Sequence, residues 1–399
     1  MNIQSPVSAR FQADRADPRG AAIAVAGTAA THAEAVDRAA RFPGEAFAAA
    51  RAEQMLGAMI PVSLGGKGAS ASDIVEDCYV LGRACASTGM IYAMHQIMIA
   101  CLVRHGGEAA WALDLQRRIA AEQLLLASST TDGKGGGDLR HSSCAVKQNG
   151  SGIELTKSAT VMSYGAHADA VLATARRSPE AAASDQVLVA VTKEQYSLEH
   201  SVDWDTLGMR GTCSSGFTLQ ANAAAKQVFE DSYQVINART VLPMAHLTWS
   251  AVWAGVAAGA VERARLFIRG AARNASGQLP PGAAHLTRAS ATLRALRGII
   301  ASSMARYETA AALPDQLDSF DFQSGMNLLK VNASEMAIAT VMSALQATGL
   351  SGYRNDSPHC IGRQLRDVLS SSIMINNDRI LANVASATML TEVPASLRD

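Results

Sequence analysis

The chain has 399 residues, 48% of them apolar, and 35 basic against 35 acidic side chains, so its formal net charge is zero. That length exceeds one ordinary core of roughly 150 residues and predicts two or three domains. Neutrality leaves no electrostatic footprint for nucleic acid or an anionic membrane, so neither is an expected partner. The six cysteines (Cys78, Cys85, Cys101, Cys144, Cys213, Cys360) are scattered, form no CxxC pair and make no Cys/His set with metal-ligand spacing. Neither a metal site nor a disulfide framework is expected, and reduced thiols of a cytoplasmic protein are.

In chain order, the polar N-terminus lacks a signal-type apolar core. Residues 20–60 carry apolar side chains at helical spacing (Ala35, Val36, Ala39, Phe47, Met55, Leu56), ended by Pro61, Gly65 and Gly66. After the loop IPVSLGGKGAS, Ser72 and Asp73 are expected to cap a helix bearing Ile74, Cys78 and Leu81. STGMIYAMHQIMIACLVRHGG (87–107) predicts a largely buried helix that stops at Gly106, and a further helix is expected over 108–122. The apolar stretch around Val252–Ala260 reads as too short, and too closely flanked by charge, to span a bilayer.

From about 124 to 236 the pattern changes to short β-type runs bounded by turn residues, which predicts an antiparallel barrel or sandwich. After Val241 helical spacing returns, with breaks at 277–282, 312–315 and 349–358, enough for a bundle of about four helices. The expected division is a helical domain over 1–123, a β domain over 124–236 and a helical bundle over 237–399. Within the β region lie three notable pieces: LLLASSTTDGKGGGD (124–138), LTKSATVMSYGAHADAVLATAR (155–176) and VDWDTLGMRGTCSSGFTL (202–219). The glycines between Gly133 and Gly137 let backbone N–H groups approach a flavin edge or a phosphate closely, although such runs are as often plain flexible loops.

In order and spacing these pieces resemble the middle domain of the acyl-CoA dehydrogenase superfamily, and the helical, β, helical order extends the resemblance from about Ala35 to Leu390. The resemblance implies an α+β fold of that type and a flavin, FAD rather than FMN, lying between the β domain and the bundle. It places Thr130 and Thr131 at the pyrimidine edge of the ring and Ser163 near N5. Val161 stands where the family usually covers the flavin with an aromatic side chain. Arg273 matches an arginine that reaches the cofactor pyrophosphate of a neighbouring subunit, a suitable bidentate donor, although the following Phe is missing. Gln346, Gly349 and Gly352 match a turn over the adenosine half, and Asn377 stands among the cofactor-facing positions. Because that site is shared between subunits, a homodimer or homotetramer is implied.

Oxidation of the Cα–Cβ bond of an acyl thioester needs a base at the α-carbon, which the family usually supplies as Glu. Here RDVLSSSIMINND puts Ile375 at that position, with Asn376 and Asn377 replacing Gly and Thr. The alternative family position, on the first bundle helix, falls at Trp249, again without a carboxylate. Asp378 and His246 are the nearby candidates for the base, each set against a plainer structural role. Trp249, Trp253, Met374 and Ile375 are expected to line an apolar acyl pocket. The leading expectation is dehydrogenation of an acyl-CoA or acyl-carrier-protein thioester with electrons passed to an electron-transferring flavoprotein. The alternatives are a monooxygenase of the same fold supplied by a partner flavin reductase, and a binding protein without turnover.

Overall fold

A computed structural model describes residues 18–132, 141–390, 392, 393 and 396; the glycine run at 133–137 lies outside them. Five helices come first: α1 (Pro18–Ala39), α2 (Gly44–Ala52), α3 (Ala71–Ala84), α4 (Ala86–His105) and α5 (Ala110–Glu122). The cap of α3 is Ser70 rather than Ser72: its Oγ accepts the Asp73 N–H at 3.2 Å, and Asp73 Oδ2 accepts the Ser70 N–H at 2.9 Å. This reciprocal box satisfies two donors that a cap at Ser72 would leave open. Gly106 caps α4, as its position in the sequence predicts.

Eight strands follow: β1 (Leu126–Ser129), β2 (Lys147–Asn149), β3 (Gly152–Ala159), β4 (Ala170–Arg176), β5 (Gln186–Thr192), β6 (Tyr196–Val202), β7 (Gly216–Ala224) and β8 (Val228–Ser232). They form two four-stranded sheets, β1-β4-β5-β8 and β2-β3-β7-β6. The expectation of a wholly antiparallel region is corrected at one pair, since β1 runs parallel to β4. The apolar runs of β4 and β5 are buried on both faces, whereas β3 alternates buried and exposed, as expected of a strand with one solvated face.

The remaining chain is helical: α6 (Tyr233–Ile236), a π-helical segment (Asn237–Val241), α7 (Leu242–Asn274), α8 (Ala283–Ala311), α9 (Pro314–Leu317), α10 (Phe320–Thr348), α11 (Leu350–Tyr353), α12 (Gly362–Leu369) and α13 (Asn377–Leu390). The central helix α7 packs against α10 and α8 on one side and against α3 and α4 of the N-terminal region on the other. Glycine makes the α3 contact close. A Cβ on Gly255 would come within 2.3 Å of the Tyr79 carbonyl, and one on Gly82 within 2.5 Å of the Val252 carbonyl.

The apolar helices are longer than the stretch around Val252–Ala260 suggests. Three helical segments (86–105, 233–274 and 320–348) are long and apolar enough to cross a membrane by length and composition. Their most apolar windows are 89%, 83% and 56% buried within the fold, so the apolar surface of the first two is largely spent on internal packing.

Candidate active site

A cavity of about 710 Å³ opens where α4, the end of β1, two loops of the β region, the start of α7 and the segment after α12 meet. Each wall has a local cause. Helix α4 is apolar nearly all round, and Met90, Met94 and Met98, spaced four apart, present one stripe to the cavity. Strand β1 delivers Thr130 and Thr131. Its first N–H, at Leu126, donates to His95 Nδ1 at 3.0 Å while His95 Nε2–H donates to the Leu56 carbonyl at 2.8 Å. Burial lowers the His95 pKa to about 4, which keeps the ring neutral and this double bridge intact.

The loop after β3 is locked to the loop before β7. The Tyr164 N–H donates to Thr212 O at 2.8 Å, and the Tyr164 hydroxyl donates to Leu126 O at 2.9 Å. Thr131 Oγ1 adds a donor to Val161 O at 3.1 Å. Tyr164, Met209 and Cys213 all have positive φ, a sparsely populated conformation that survives only where surroundings enforce it. For Met209 the enforcement comes from α12. Its N–H donates to Asp367 Oδ1 at 2.7 Å, and Gly208 packs so closely that a Cβ would lie 2.1 Å from the Arg366 carbonyl. Burial raises the Asp367 pKa to about 6, opposed by Arg363 and by the Met209 N–H.

Hydroxyls gather in this part of the site. Ser163 Oγ lies 2.8 Å from Ser214 Oγ, which lies 2.8 Å from Thr212 Oγ1. Thr130, Thr131, Ser163, Thr212 and Ser214 all line the cavity. On α7, His246 and Trp249 line it as well. His246 Nδ1–H donates to the Met326 carbonyl at 2.9 Å, and Nε2 has no partner among the described residues. Burial lowers its pKa to about 4, so at neutral pH it carries a lone pair rather than a charge.

The segment after α12 contributes Met374 and Ile375. Ile375 has φ of 45°, an outlier for a β-branched residue. Its carbonyl accepts from Lys330 Nζ at 2.7 Å, and Lys330 also donates to Asn377 Oδ1 at 2.7 Å. Lys330 is fully buried and burial alone lowers its pKa to about 8.

The structure thus brings Thr130, Thr131, Ser163, His246, Trp249, Met374 and Ile375 to one cavity. It does not bring the other predicted residues there. Trp253, one turn beyond Trp249, is core, with the Lys330 ammonium 5.8 Å from its ring. Asn377 turns inward to Lys330 and Ser334. Asp378 is exposed, with its N–H on Asn376 Oδ1, and does not line the cavity. Arg273, at the end of α7, is exposed and donates to the Arg269 carbonyl, while Gln346, Gly349 and Gly352 lie at the end of α10 and in α11. Sequence reasoning missed the methionine stripe, whose four-residue spacing was visible, and Thr212, Ser214, Asp367 and Lys330, whose long-range partners were not.

Among the described lining residues the charged groups are Arg366 and Arg379, and none is a carboxylate. Apolar walls with a cluster of hydroxyls fit a flat, mostly apolar ring with a polar edge, and the volume falls in the range of ligand sites. A flavin ring meets that description.

Comparison with known proteins agrees. Residues 20–120 match the model of the acyl-CoA dehydrogenase N-terminal domain, and residues 247–373 that of the acyl-CoA dehydrogenase C-terminal domain. A cyclohex-1-ene-1-carbonyl-CoA dehydrogenase of Geobacter metallireducens is 23% identical over 339 residues, 84% of this chain and 87% of the relative. In fold, the FMN-bound dibenzothiophene monooxygenase TdsC of Paenibacillus sp. A11-2 superposes with a TM-score of 0.83 at 18% identity, over 94% of this chain and 98% of the other. Methanesulfinate monooxygenase MsuC of Pseudomonas fluorescens gives 0.80 at 17% identity, covering 98% and 99%. At such identity these structural matches speak for the fold alone.

Proposed function

The chain belongs to the acyl-CoA dehydrogenase superfamily of flavoproteins, and from that premise we propose that it oxidises the Cα–Cβ bond of an acyl thioester in this cavity. The observation that carries the reading is the convergence of the Thr130, Thr131, Ser163, Thr212 and Ser214 hydroxyls and a neutral His246 on a single apolar cavity. A bound flavin supplies the two-electron acceptor. Thr130, Thr131 and Ser163 hold its ring, and the methionines of α4 with Trp249, Met374 and Ile375 pack the acyl chain and exclude water. His246 Nε2 takes the α-proton, a task for which an unprotonated ring is required. Arg273, Gln346, Gly349 and Gly352 serve the distal half of FAD across a subunit boundary in a homodimer or homotetramer. Electrons leave to an electron-transferring flavoprotein, and the unpaired thiols suit the cytoplasm.

One observation favours a second reading. Ile375 and Trp249 occupy the two positions where a carboxylate base is expected, and both line the cavity. A monooxygenase acting with reduced flavin from a partner reductase needs no such base, and FMN in place of FAD would accord with the cofactor of TdsC. Anaerobic titration of the flavin-loaded protein with acyl-CoA thioesters of graded length separates the two. Bleaching of the flavin band without added reductant, slowed by about 10²-fold or more in His246→Gln, supports dehydrogenation. No bleaching with any thioester, together with oxygen-dependent turnover once a flavin reductase is added, supports the second reading.

A further inference from the structure

The hydroxyl chain in the cavity wall has a direction. Thr212 Oγ1 lies 2.8 Å from the Met209 carbonyl oxygen, and two oxygens at that distance need a proton between them. A carbonyl cannot supply it, so the single Thr212 hydroxyl proton is committed there. Thr212 Oγ1 must then accept from Ser214 at 2.8 Å, which commits the Ser214 proton, and Ser214 Oγ must accept from Ser163 at 2.8 Å. The anchor itself is fixed. Met209 sits at φ of 55° with its N–H on buried Asp367, and its carbonyl also accepts from Trp204 Nε1 at 3.1 Å.

We infer that Ser163 presents a lone pair and not an O–H to the cavity, and that the protein therefore binds reduced flavin more tightly than oxidised flavin. The inference rests on the flavin reading above, with Ser163 beside N5. In the oxidised ring N5 carries no hydrogen and would face the Ser163 lone pair across an unfavourable contact. In the dihydro ring N5–H is a donor and the contact becomes a hydrogen bond. The preference makes the flavin a better electron acceptor if the reaction is dehydrogenation, and makes the protein a receiver of reduced flavin if it is oxygenation.

The test is anaerobic binding of FMN and of FAD to the full-length protein, with each flavin oxidised and then reduced by dithionite. Reduced flavin is expected to bind at least about tenfold more tightly, equivalent to a midpoint potential about 30 mV above that of free flavin for this two-electron couple. Thr212→Val removes the terminal anchor while keeping the shape and the backbone N–H, so the chain can reverse and the ratio should fall to within about threefold of unity. Thr212→Ser, which restores the hydroxyl, should keep the wild-type ratio. Equal or tighter binding of oxidised flavin by the wild type overturns the inference, as does a ratio that Thr212→Val leaves unchanged. Failure of both forms to bind overturns the flavin reading itself, and with it the inference, and is recognisable because neither affinity exists to compare.

Discussion

At the scale of single residues, Ile375 decides most. A β-branched side chain at positive φ costs of the order of 1–3 kcal/mol and persists only where neighbours over-determine it. Here the neighbour is Lys330, a buried ammonium that donates to the Ile375 carbonyl and to Asn377. That it was isoleucine and not glutamate was plain from the sequence. The inverted backbone and its clamp were not, because Lys330 lies 45 positions away and no local pattern links them. Trp249 and Trp253 make the same point: adjacent turns of one helix, one at the cavity and one in the core. Glutamate lacks the β-branch and tolerates the turn better, so Ile375→Glu should fold and place a carboxylate in the apolar wall. We expect a shifted flavin absorption band and, under the dehydrogenase reading, bleaching by acyl-CoA faster by about 10-fold or more at pH 8, measured by stopped flow. An unchanged spectrum and rate would remove Ile375 from the flavin's surroundings.

At the scale of elements, α4 shows how one helix serves packing and site together. One part of it carries the methionine stripe of the cavity, and Tyr92 faces α3, donating to buried Asp77 at 3.0 Å. Burial raises the Asp77 pKa to about 7, against the opposing Tyr92 hydrogen bond. A carboxyl that is easier to protonate folded than unfolded makes the protein less stable as pH rises from the unfolded value near 4 to the folded value near 7, with no further loss above. Asp77→Asn keeps the acceptor for Tyr92 and cannot ionise. Its stabilising effect should therefore be larger at pH 8 than at pH 5 by about 2–3 kcal/mol, read from urea unfolding at the two pH values. An equal effect at both would mean that Asp77 does not titrate in this range. The amphipathic spacing that predicts α3 was legible, but a buried aspartate at its centre reads in sequence as an ordinary surface charge.

At the scale of the molecule, the cavity is built by all three regions: α4, the β1 end and its partner loops, and the bundle with the segment after α12. A ligand seated there ties them together. Saturating flavin at about 100-fold its Kd should add about 2.7 kcal/mol to stability and raise the midpoint of a single thermal transition by a few degrees, followed by calorimetry. A flavin that shifts only part of a multi-step transition would place its binding within one region instead.

The sequence by itself determined the succession of helical, β and helical regions, the stop of α4 at Gly106 and the membership of the superfamily. These rest on periodicity, turn residues and motifs, which act over a few positions and leave their mark there. Tertiary structure alone decided that β1 runs parallel to β4, that His246 keeps a free lone pair by giving its proton to Met326, and that Asp367 and Lys330 hold the cavity walls from behind. Each depends on a partner brought near by the fold, and burial then sets the proton's place. Chain spacing carries no record of either.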